Sequence, residues 1–453
     1  MLNIKIDSRK VTKGDIFVAI KGHTVDGHNY INQAIANGAI KIVANYGDYS
    51  VPTEIVEDTE KYVTDYVEKN YSRELNNMKI IGITGTNGKT TTAYLLYQLL
   101  NKLGLKTAYI GTIGFYLDKF IEEIPNTTPN IVDLYELLLR AKESGYKNIV
   151  MEVSSHALDM RRVAGIKFSQ AAFTNLTQDH LDYHKTMANY LDAKKLILKQ
   201  LNGPMISNID DPYGKEFKTD NFITLGFNPA DYQIISYENT KTGTSINFKY
   251  QNIDYQLNTK LRGKYNVYNF ITAVAIANQC GFSIEDIIKL SETINPPKGR
   301  CQIIPVKNGE AIIDYAHTPD AVLKIVTTFN EHKKGRVITL VGCGGDRDPK
   351  KRPIMGKIAS ENSDYVIFTS DNPRTENPQK IMDDIIAGVN KDNYEIELDR
   401  RKAIHKALNM IKENDIVLIL GKGHEDYQIL GHQKVHLDDA EEVEKYNQSK
   451  SNH

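Results

Sequence analysis

The residues best able to do chemistry lie in the stretch Lys79-Ile80-Ile81-Gly82-Ile83-Thr84-Gly85-Thr86-Asn87-Gly88-Lys89-Thr90-Thr91-Thr92. An apolar run ends in a glycine-rich turn, the turn ends in Gly88-Lys89-Thr90, and a helical apolar pattern follows from Ala93 to Leu100. Strand, loop and helix in that order, with Lys-Thr at the helix start, make a phosphate cradle. Glycines let backbone N–H groups approach the phosphate, and the helix N-terminus adds positive potential. Lys89 would then reach the outer phosphates and Thr90 would hold Mg²⁺. The strict G-x-x-x-x-G-K-[ST] pattern is broken, because Ile83 stands at its first glycine and the glycines fall at Gly82, Gly85 and Gly88.

Other chemistry-bearing groups follow along the chain. Asn148-Ile149-Val150-Met151-Glu152-Val153 reads as a buried strand ending on a carboxylate. At a strand tip beside a phosphate loop, Glu152 can bind Mg²⁺ directly or through water. Ser154-Ser155-His156 follows at once. Asp179, His180, Asp182 and His184 then fall within six residues. His180 and His184 lack the glutamate of an H-E-x-x-H helix, so one histidine beside an oxygen-ligated Mg²⁺ fits better than a zinc site. Lys194 reads as a surface lysine of a helix. Asn266 and Asn269 lie three apart at the start of an Ala-rich helix, on one face, and are either ligand contacts or solvated.

These side chains require an α/β scaffold to position them. Up to about residue 77 the pattern is a small unit: a strand over Asp15–Ile20, a helix from Tyr30 to Asn37 stopped by Gly38, and a strand over Ile40–Ala44. Ser8, Arg9, His23 and His28 read there as solvated or capping residues. From Met78 to about Pro297 strand and helix alternate, which predicts a parallel sheet with helices on both faces. A hairpin is predicted across Ser245–Leu257. A last unit begins near Gly299. Its strands end in Asp314-Tyr315-Ala316-His317, Gly342-Cys343-Gly344-Gly345, Ser370-Asp371-Asn372-Pro373-Arg374 and Gly421-Lys422-Gly423-His424-Glu425. Polar clusters at the carboxyl ends of strands are where open α/β sheets bind ligands.

The composition narrows the class. A length of 453 residues asks for two to four domains. Lys+Arg 56 against Asp+Glu 57 leaves a net charge of -1, which argues against a nucleic-acid partner. Cys280, Cys301 and Cys343 are scattered and odd in number, so neither a disulfide framework nor a metal spacing is present. No membrane-length apolar run occurs, and Met1–Asp7 lacks a signal-peptide core. A cytoplasmic location is expected.

Taken together, Thr84-Gly85-Thr86-Asn87-Gly88-Lys89-Thr90-Thr91, Asn126-Thr127-Thr128-Pro129, Glu152-Val153-Ser154-Ser155-His156, Asp179-His180-Leu181-Asp182-Tyr183-His184, Asp314-Tyr315-Ala316-His317-Thr318-Pro319 and Asp371-Asn372-Pro373-Arg374 resemble the Mur ligase family over essentially the whole chain. The resemblance implies an α/β chain of three domains. Residues 1–77 would hold a UDP-sugar, residues 78–297 would form the central P-loop parallel sheet that holds ATP, and residues 298–453 would form a Rossmann-like domain for the incoming amino acid. It implies ATP-dependent amide formation on UDP-MurNAc-L-Ala-D-Glu by a monomer, on small molecules alone, away from nucleic acid and membrane.

By the same resemblance Lys89, Glu152, His180 and Lys194 are catalytic, with Thr90, Glu152, His180 and a carbamylated Lys194 serving two Mg²⁺ sites. Gly85, Thr86, Asn87, Gly88, Lys89, Thr90, Thr91, Asn266, Asn269, Arg300, Asp314 and His317 would surround ATP. Ser8, His23, Thr24, Val25, Asn126, Thr127, Thr128, Ser154, Met160 and Arg162 would hold the muramyl dipeptide. Arg347, Asp371, Asn372, Pro373, Arg374, Gly421 and Glu425 would hold meso-diaminopimelate, because Asp371-Asn372-Pro373-Arg374 is similar to the form in members that add that residue rather than L-lysine. A lysine- or lanthionine-adding ligase, a folylpolyglutamate synthetase-like ligase and an inactive nucleotide-binding subunit are the alternatives. Two positions depart from the family pattern. Relatives usually carry a further helix ahead of Asp7-Ser8-Arg9, and Met160 stands where some place a glutamine.

Overall fold

The structure, a computed structural model, describes residues 2–22, 25–240, 243–331 and 333–451. His23 and Thr24 lie outside the described residues. Among the described residues the strands gather into three large sheets and a hairpin. The first sheet is parallel and runs in chain order through Ile4–Lys5, Ile16–Val18, Lys41–Ala44 and Thr53–Ile55. The predicted strand over Asp15–Ile20 is therefore shorter, and the helix ends at Ala36 before Gly38, whose φ of +107° suits a helix stop. His28 is buried rather than solvated, with Nδ1 2.6 Å from Asp26 Oδ1.

The second sheet is parallel in its middle and antiparallel at both margins. Its centre carries Phe168–Phe173, Lys79–Thr84, Asn148–Glu152 and Thr107–Gly111 side by side. Lys79–Thr84 comes first in sequence yet lies inside the sheet, and later strands are added on either side of it. That is a switch in strand order, and it opens a crevice at the strand carboxyl ends. The predicted hairpin spans Thr244–Tyr250 and Ile253–Thr259 at one edge. The helices Lys89–Lys102 and Lys264–Gln279 pack on one face, with Leu95, Leu99, Phe270 and Val274 buried between them and the sheet.

The third sheet places Gly309–Asp314, Asp415–Leu420, Val337–Val341 and Tyr365–Phe368 in parallel, with Gln302–Val306 antiparallel at one edge. All four predicted strands are present. The small hairpin Tyr427–Leu430 and Gln433–His436 lies against their loops.

The terminal helix Asp439–Ser451 is held by a charge pair with no solvent access. Arg400 Nη2 and Nε donate to Asp439 Oδ2 and Oδ1 at 2.6 and 2.8 Å, and Nη2 also donates to Leu420 O at 3.1 Å. Breaking such a pair strands a buried charge. Asp439→Asn should cost about 3–5 kcal/mol of stability, read as a lowered denaturant midpoint.

Candidate active site

The turn after Lys79–Thr84 is clamped from two sides. A Cβ at Gly85 would meet Thr174 Oγ1 at 1.9 Å, and one at Gly88 would meet Asn269 Oδ1 at 2.3 Å. Both glycines also have positive φ, +147° and +87°. On one side Asn87 N donates to Asn175 Oδ1 at 3.0 Å, and Thr174 Oγ1 donates to Asn87 O at 2.7 Å. Lys89 folds back over the loop and donates to Gly85 O and Thr86 O, each at 2.9 Å. It is half-buried. Burial lowers its pKa, and the negative charge of Glu152 opposes that shift.

Glu152 has no solvent access. Oε1 accepts from Tyr109 Oη at 2.6 Å and Thr112 N at 2.8 Å; Oε2 accepts from Thr90 Oγ1 at 2.9 Å and Thr112 Oγ1 at 3.1 Å. Four donors offset the cost of burying a carboxylate. A threonine hydroxyl beside a carboxylate is an oxygen pair suited to a hard cation such as Mg²⁺, whose other positions phosphates and water fill. Among the described residues no trio of His, Cys, Asp or Glu is placed to cage a metal unaided.

Lys194 corrects the surface reading. Helix Met187–Lys195 turns it inward, 1% exposed, to donate to Gly85 O at 2.8 Å from beneath the phosphate loop. Its ammonium lies 4.5 Å from the Tyr190 ring centre. Burial, and then the charge of Lys89, push its pKa well down. His180 and His184 separate in role. His184 is buried with Nε2 2.9 Å from Ser155 Oγ, a core histidine. His180, at φ +54°, stays open to solvent, its ring edge-on to His156 at 4.9 Å. Burial, then His180, lower the His156 pKa to about 4.

The residues expected for the muramyl peptide gather on the other flank of Glu152. Thr112 Oγ1 lies 2.9 Å from Thr127 Oγ1. Thr128 Oγ1 donates to Glu152 O at 2.9 Å and accepts from Ser154 N at 3.1 Å. Arg162 donates to Thr128 O at 3.2 Å and lies 3.2 Å from Met160 Sδ. Asn126 is exposed nearby in sequence. Ser8, whose hydroxyl donates to Gln33 Oε1 at 2.8 Å, and Val25, 53% exposed, lie in turns beside the first sheet and are not joined to this cluster by the hydrogen bonds of the described residues.

A cavity of about 480 Å³ opens between the second and third sheets, lined by Asn87, Gly88, Thr91, Asn269, Arg300, Asp314 and His317 among others. Asn266 and Asn269 are buried, not solvated: Asn269 Nδ2 donates to Asn266 Oδ1 at 3.0 Å, and Asn269 Oδ1 faces Gly88. Besides an Arg262–Glu310 ion pair at 2.7 Å, two contacts cross between the units at the phosphate loop. Arg300 Nη2 donates to Thr90 Oγ1 at 3.3 Å, and Asn87 Nδ2 to Asp320 Oδ2 at 3.2 Å. The Arg300 guanidinium also lies 4.3 Å from the Tyr315 ring centre. Asp314 is tied to its own turn, accepting from Cys301 N and Ala316 N at 2.7 and 2.8 Å, and burial raises its pKa. His317 Nδ1 meets Tyr315 O at 2.8 Å.

The last group converges at the third sheet. A Cβ at Gly344 would lie 2.9 Å from Arg374 Nη1 and 3.8 Å from Arg347 Cγ. Arg374, at φ +52°, donates Nη1 to Gly345 O at 2.8 Å. Its backbone pairs with the hairpin: Arg374 N donates to Ile429 O at 3.0 Å, and Gly431 N donates to Arg374 O at 2.8 Å. Gly421, at φ +112°, lets Asp371 approach. Asn372 Nδ2 donates to Glu425 Oε2 at 2.9 Å, and Pro373 is buried beside it.

Comparison with known proteins bears on this arrangement. The sequence pattern described as Mur ligase family, catalytic domain matches residues 2–81, that of the Mur ligase middle domain residues 83–277, and that of the Mur ligase, glutamate ligase domain residues 299–423. The UDP-N-acetylmuramoyl-L-alanyl-D-glutamate–2,6-diaminopimelate ligase 1 of Clostridium acetobutylicum is 42% identical over 455 residues, 98% of this chain and 94% of its own. The chain belongs to the Mur ligase family.

The similarly named ligase of Aquifex aeolicus is 43% identical over 446 residues, 97% of this Mur ligase and 92% of its own. A solved structure of a ligase of that name superposes with a TM-score of 0.69 at 30% identity, over 99% of this chain and 95% of its own. The Thermotoga maritima MurF ligase in complex with ADP reaches 0.70 at 18% identity over 93% and 94%, a likeness of fold alone.

Sequence reading missed several parts of the Mur ligase site. Tyr109, Thr112, Thr174 and Tyr190 act through distant contacts, and no local spacing announces them. The clamp on the loop is testable. Gly88→Ala puts a Cβ into Asn269 and adds left-handed strain of about 1–2 kcal/mol. Binding of a nucleoside triphosphate, followed by calorimetric titration, should be lost while circular dichroism stays unchanged.

Proposed function

We propose that this Mur ligase joins meso-2,6-diaminopimelate to UDP-MurNAc-L-Ala-D-Glu at the expense of ATP. One observation carries the reading: the chain is 42% identical, over nearly its whole length, to a ligase named for that reaction, and a phosphate cradle reached by Arg300 of the third unit supports it. Residues 1–77 hold the UDP-sugar end, residues 78–297 hold ATP, and residues 298–453 hold the diamino acid. A cytoplasmic location and action as a monomer go with this reading.

A carboxylate is a poor acyl donor. An oxygen of the D-glutamate γ-carboxylate attacks the γ-phosphorus of ATP, ADP leaves, and an acyl phosphate results. The neutral amine of the diamino acid then attacks the acyl carbon; phosphate leaves, and the amine loses a proton. The first step brings two anions together, so cations decide its rate. Lys89 exchanges its two carbonyl contacts for the phosphate oxygens. Arg300, already at Thr90 Oγ1, carries positive charge to the same place from the third sheet. Thr90 and Glu152 would hold Mg²⁺, which when bound would screen the phosphates. Thr127, Thr128, Ser154 and Arg162 orient the muramyl peptide next to Glu152. Closure about Pro296–Gly299 excludes water from the acyl phosphate.

Lys194 fits a second role. An amine buried beside Lys89 and without a carboxylate partner loses its proton readily, and a neutral amine adds CO₂ and releases a proton to become a carbamate. That anion would serve a second cation together with His180. Lys194→Ala should lose activity and regain part of it with added acetate. A nucleotide-bound crystal structure showing a bare Lys194 ammonium would count against the carbamate.

At the far end of the substrate, Arg374 and Arg347 receive the distal carboxylate and Glu425 the distal ammonium. L-Lysine would leave the arginines without an anion. The test is phosphate release with UDP-MurNAc-L-Ala-D-Glu, ATP and each amino acid in turn. Meso-diaminopimelate should be strongly preferred to L-lysine. Arg374→Ala should forfeit about 1.5–3 kcal/mol of that preference. Equal use of L-lysine by the unaltered enzyme would overturn the assignment.

A further inference from the structure

Glu425 is not free to choose its orientation. Both donors that reach it converge on one oxygen. Lys422 Nζ lies 2.9 Å from Oε2, and Asn372 Nδ2 lies 2.9 Å from the same atom. Among the described residues Oε1 takes no hydrogen bond, and the carboxylate side chain retains 16% exposure. One oxygen is anchored and the other is left without a protein donor among the described residues.

Lys422 is an unusual anchor. Its side chain has no solvent access, yet it carries an ammonium. Besides Glu425 it has a 3.4 Å contact with Asn372 Oδ1 and the Tyr427 ring at 5.2 Å. A buried ammonium is costly unless its counter-ion is charged and close. Glu425 is its sole ion-pair partner among the described residues. The backbone on either side of Lys422 is tightly held. Gly421 and Gly423, at φ +112° and +54°, flank it, and a Cβ at Gly423 would strike Gly299 O at 2.6 Å and the Tyr315 Cβ at 2.7 Å.

We propose that Lys422 is the positioning residue for the diamino-acid site: it holds Glu425 by Oε2 and turns it so that Oε1 meets the distal ammonium of the substrate. This rests on the diaminopimelate reading above. Lys422 touches no substrate atom; it acts through Glu425. Asn372 is the second strut, since its Oδ1 also accepts from Ile429 N at 2.9 Å and so fixes the amide against the hairpin.

The test uses the full-length enzyme with ATP, UDP-MurNAc-L-Ala-D-Glu and meso-diaminopimelate. Lys422→Met keeps length and removes charge; Lys422→Gln is the second variant, should the first not fold. Nucleotide affinity, measured by calorimetric titration, should equal that of the unaltered enzyme and certifies the fold. The KM for diaminopimelate should rise about tenfold or more, with the loss falling on KM more than on kcat. In a Glu425→Gln background the same lysine change should add no further increase, because a residue that acts only through Glu425 has nothing left to orient. An unchanged KM in both lysine variants, or a full additional loss in the Glu425→Gln background, overturns the proposal while the diaminopimelate reading stands. If the unaltered enzyme does not use diaminopimelate at all, both fall.

Discussion

A single buried charge organises the catalytic half of this molecule. Glu152 sits at the end of a central strand with no water to solvate it, and it must be satisfied by protein. The groups that do so come from four separate places: the first helical turn after the phosphate loop, the neighbouring strand, the turn beyond that strand, and, through its main-chain oxygen, the Thr128 loop. Because a buried carboxylate with a missing donor costs several times what an exposed one does, these four segments are held in one relative arrangement. The phosphate loop and the Thr128–Ser154 cluster are thus registered against each other by one residue.

The second organising feature is a line of contacts from that charge to the third sheet. Thr90 meets Arg300, Arg300 lies over Tyr315, and Tyr315 packs at 5.1 Å from His424, next to Glu425. The phosphate loop and the Asn372–Glu425 cluster are built on different sheets, and this line is the material between them. Gly299 makes it short: with φ +65° and no side chain, its backbone rests directly on that of Gly423. The segment expected to act as a hinge therefore touches the strand end that carries Lys422 and Glu425.

Much of this was legible in the sequence, and what was illegible had a common cause. The phosphate loop, the strand ending at Glu152, the edge hairpin and the four strand tips of the last unit are local patterns of apolar period and glycine placement. Lys194 was misread because its environment is not local. A helix lysine is ordinarily solvated, and only the phosphate loop lying across this helix, more than a hundred residues earlier in the chain, buries it. Asn266 and Asn269 are of the same kind: their spacing marked one helical face, while the position of Gly88 decided that the face is interior. Tyr109 carries no motif value, and Lys422 stands inside a polar strand-end cluster without being singled out there, because the importance of each lies in the carboxylate it touches.

The apolar interior follows different lines from the chemistry. Leu2, Ile4, Val18, Val43, Val63 and Val67 of the first sheet and its helix share one continuous buried cluster with Ile80, Ile110, Leu134, Leu138 and Phe168 of the second. The first sheet has a smaller cluster besides, around Phe17, Ile31 and Ile42, and the third sheet keeps its own clusters on its two faces. Cooperative melting is set by shared apolar interior rather than by which ligand a segment holds. The first two sheets should accordingly lose structure as one unit. Cutting the chain near residue 77 would strip one wall from the core on the sheet face opposite the helices Lys89–Lys102 and Lys264–Gln279, whereas the third sheet has an interior of its own to retain.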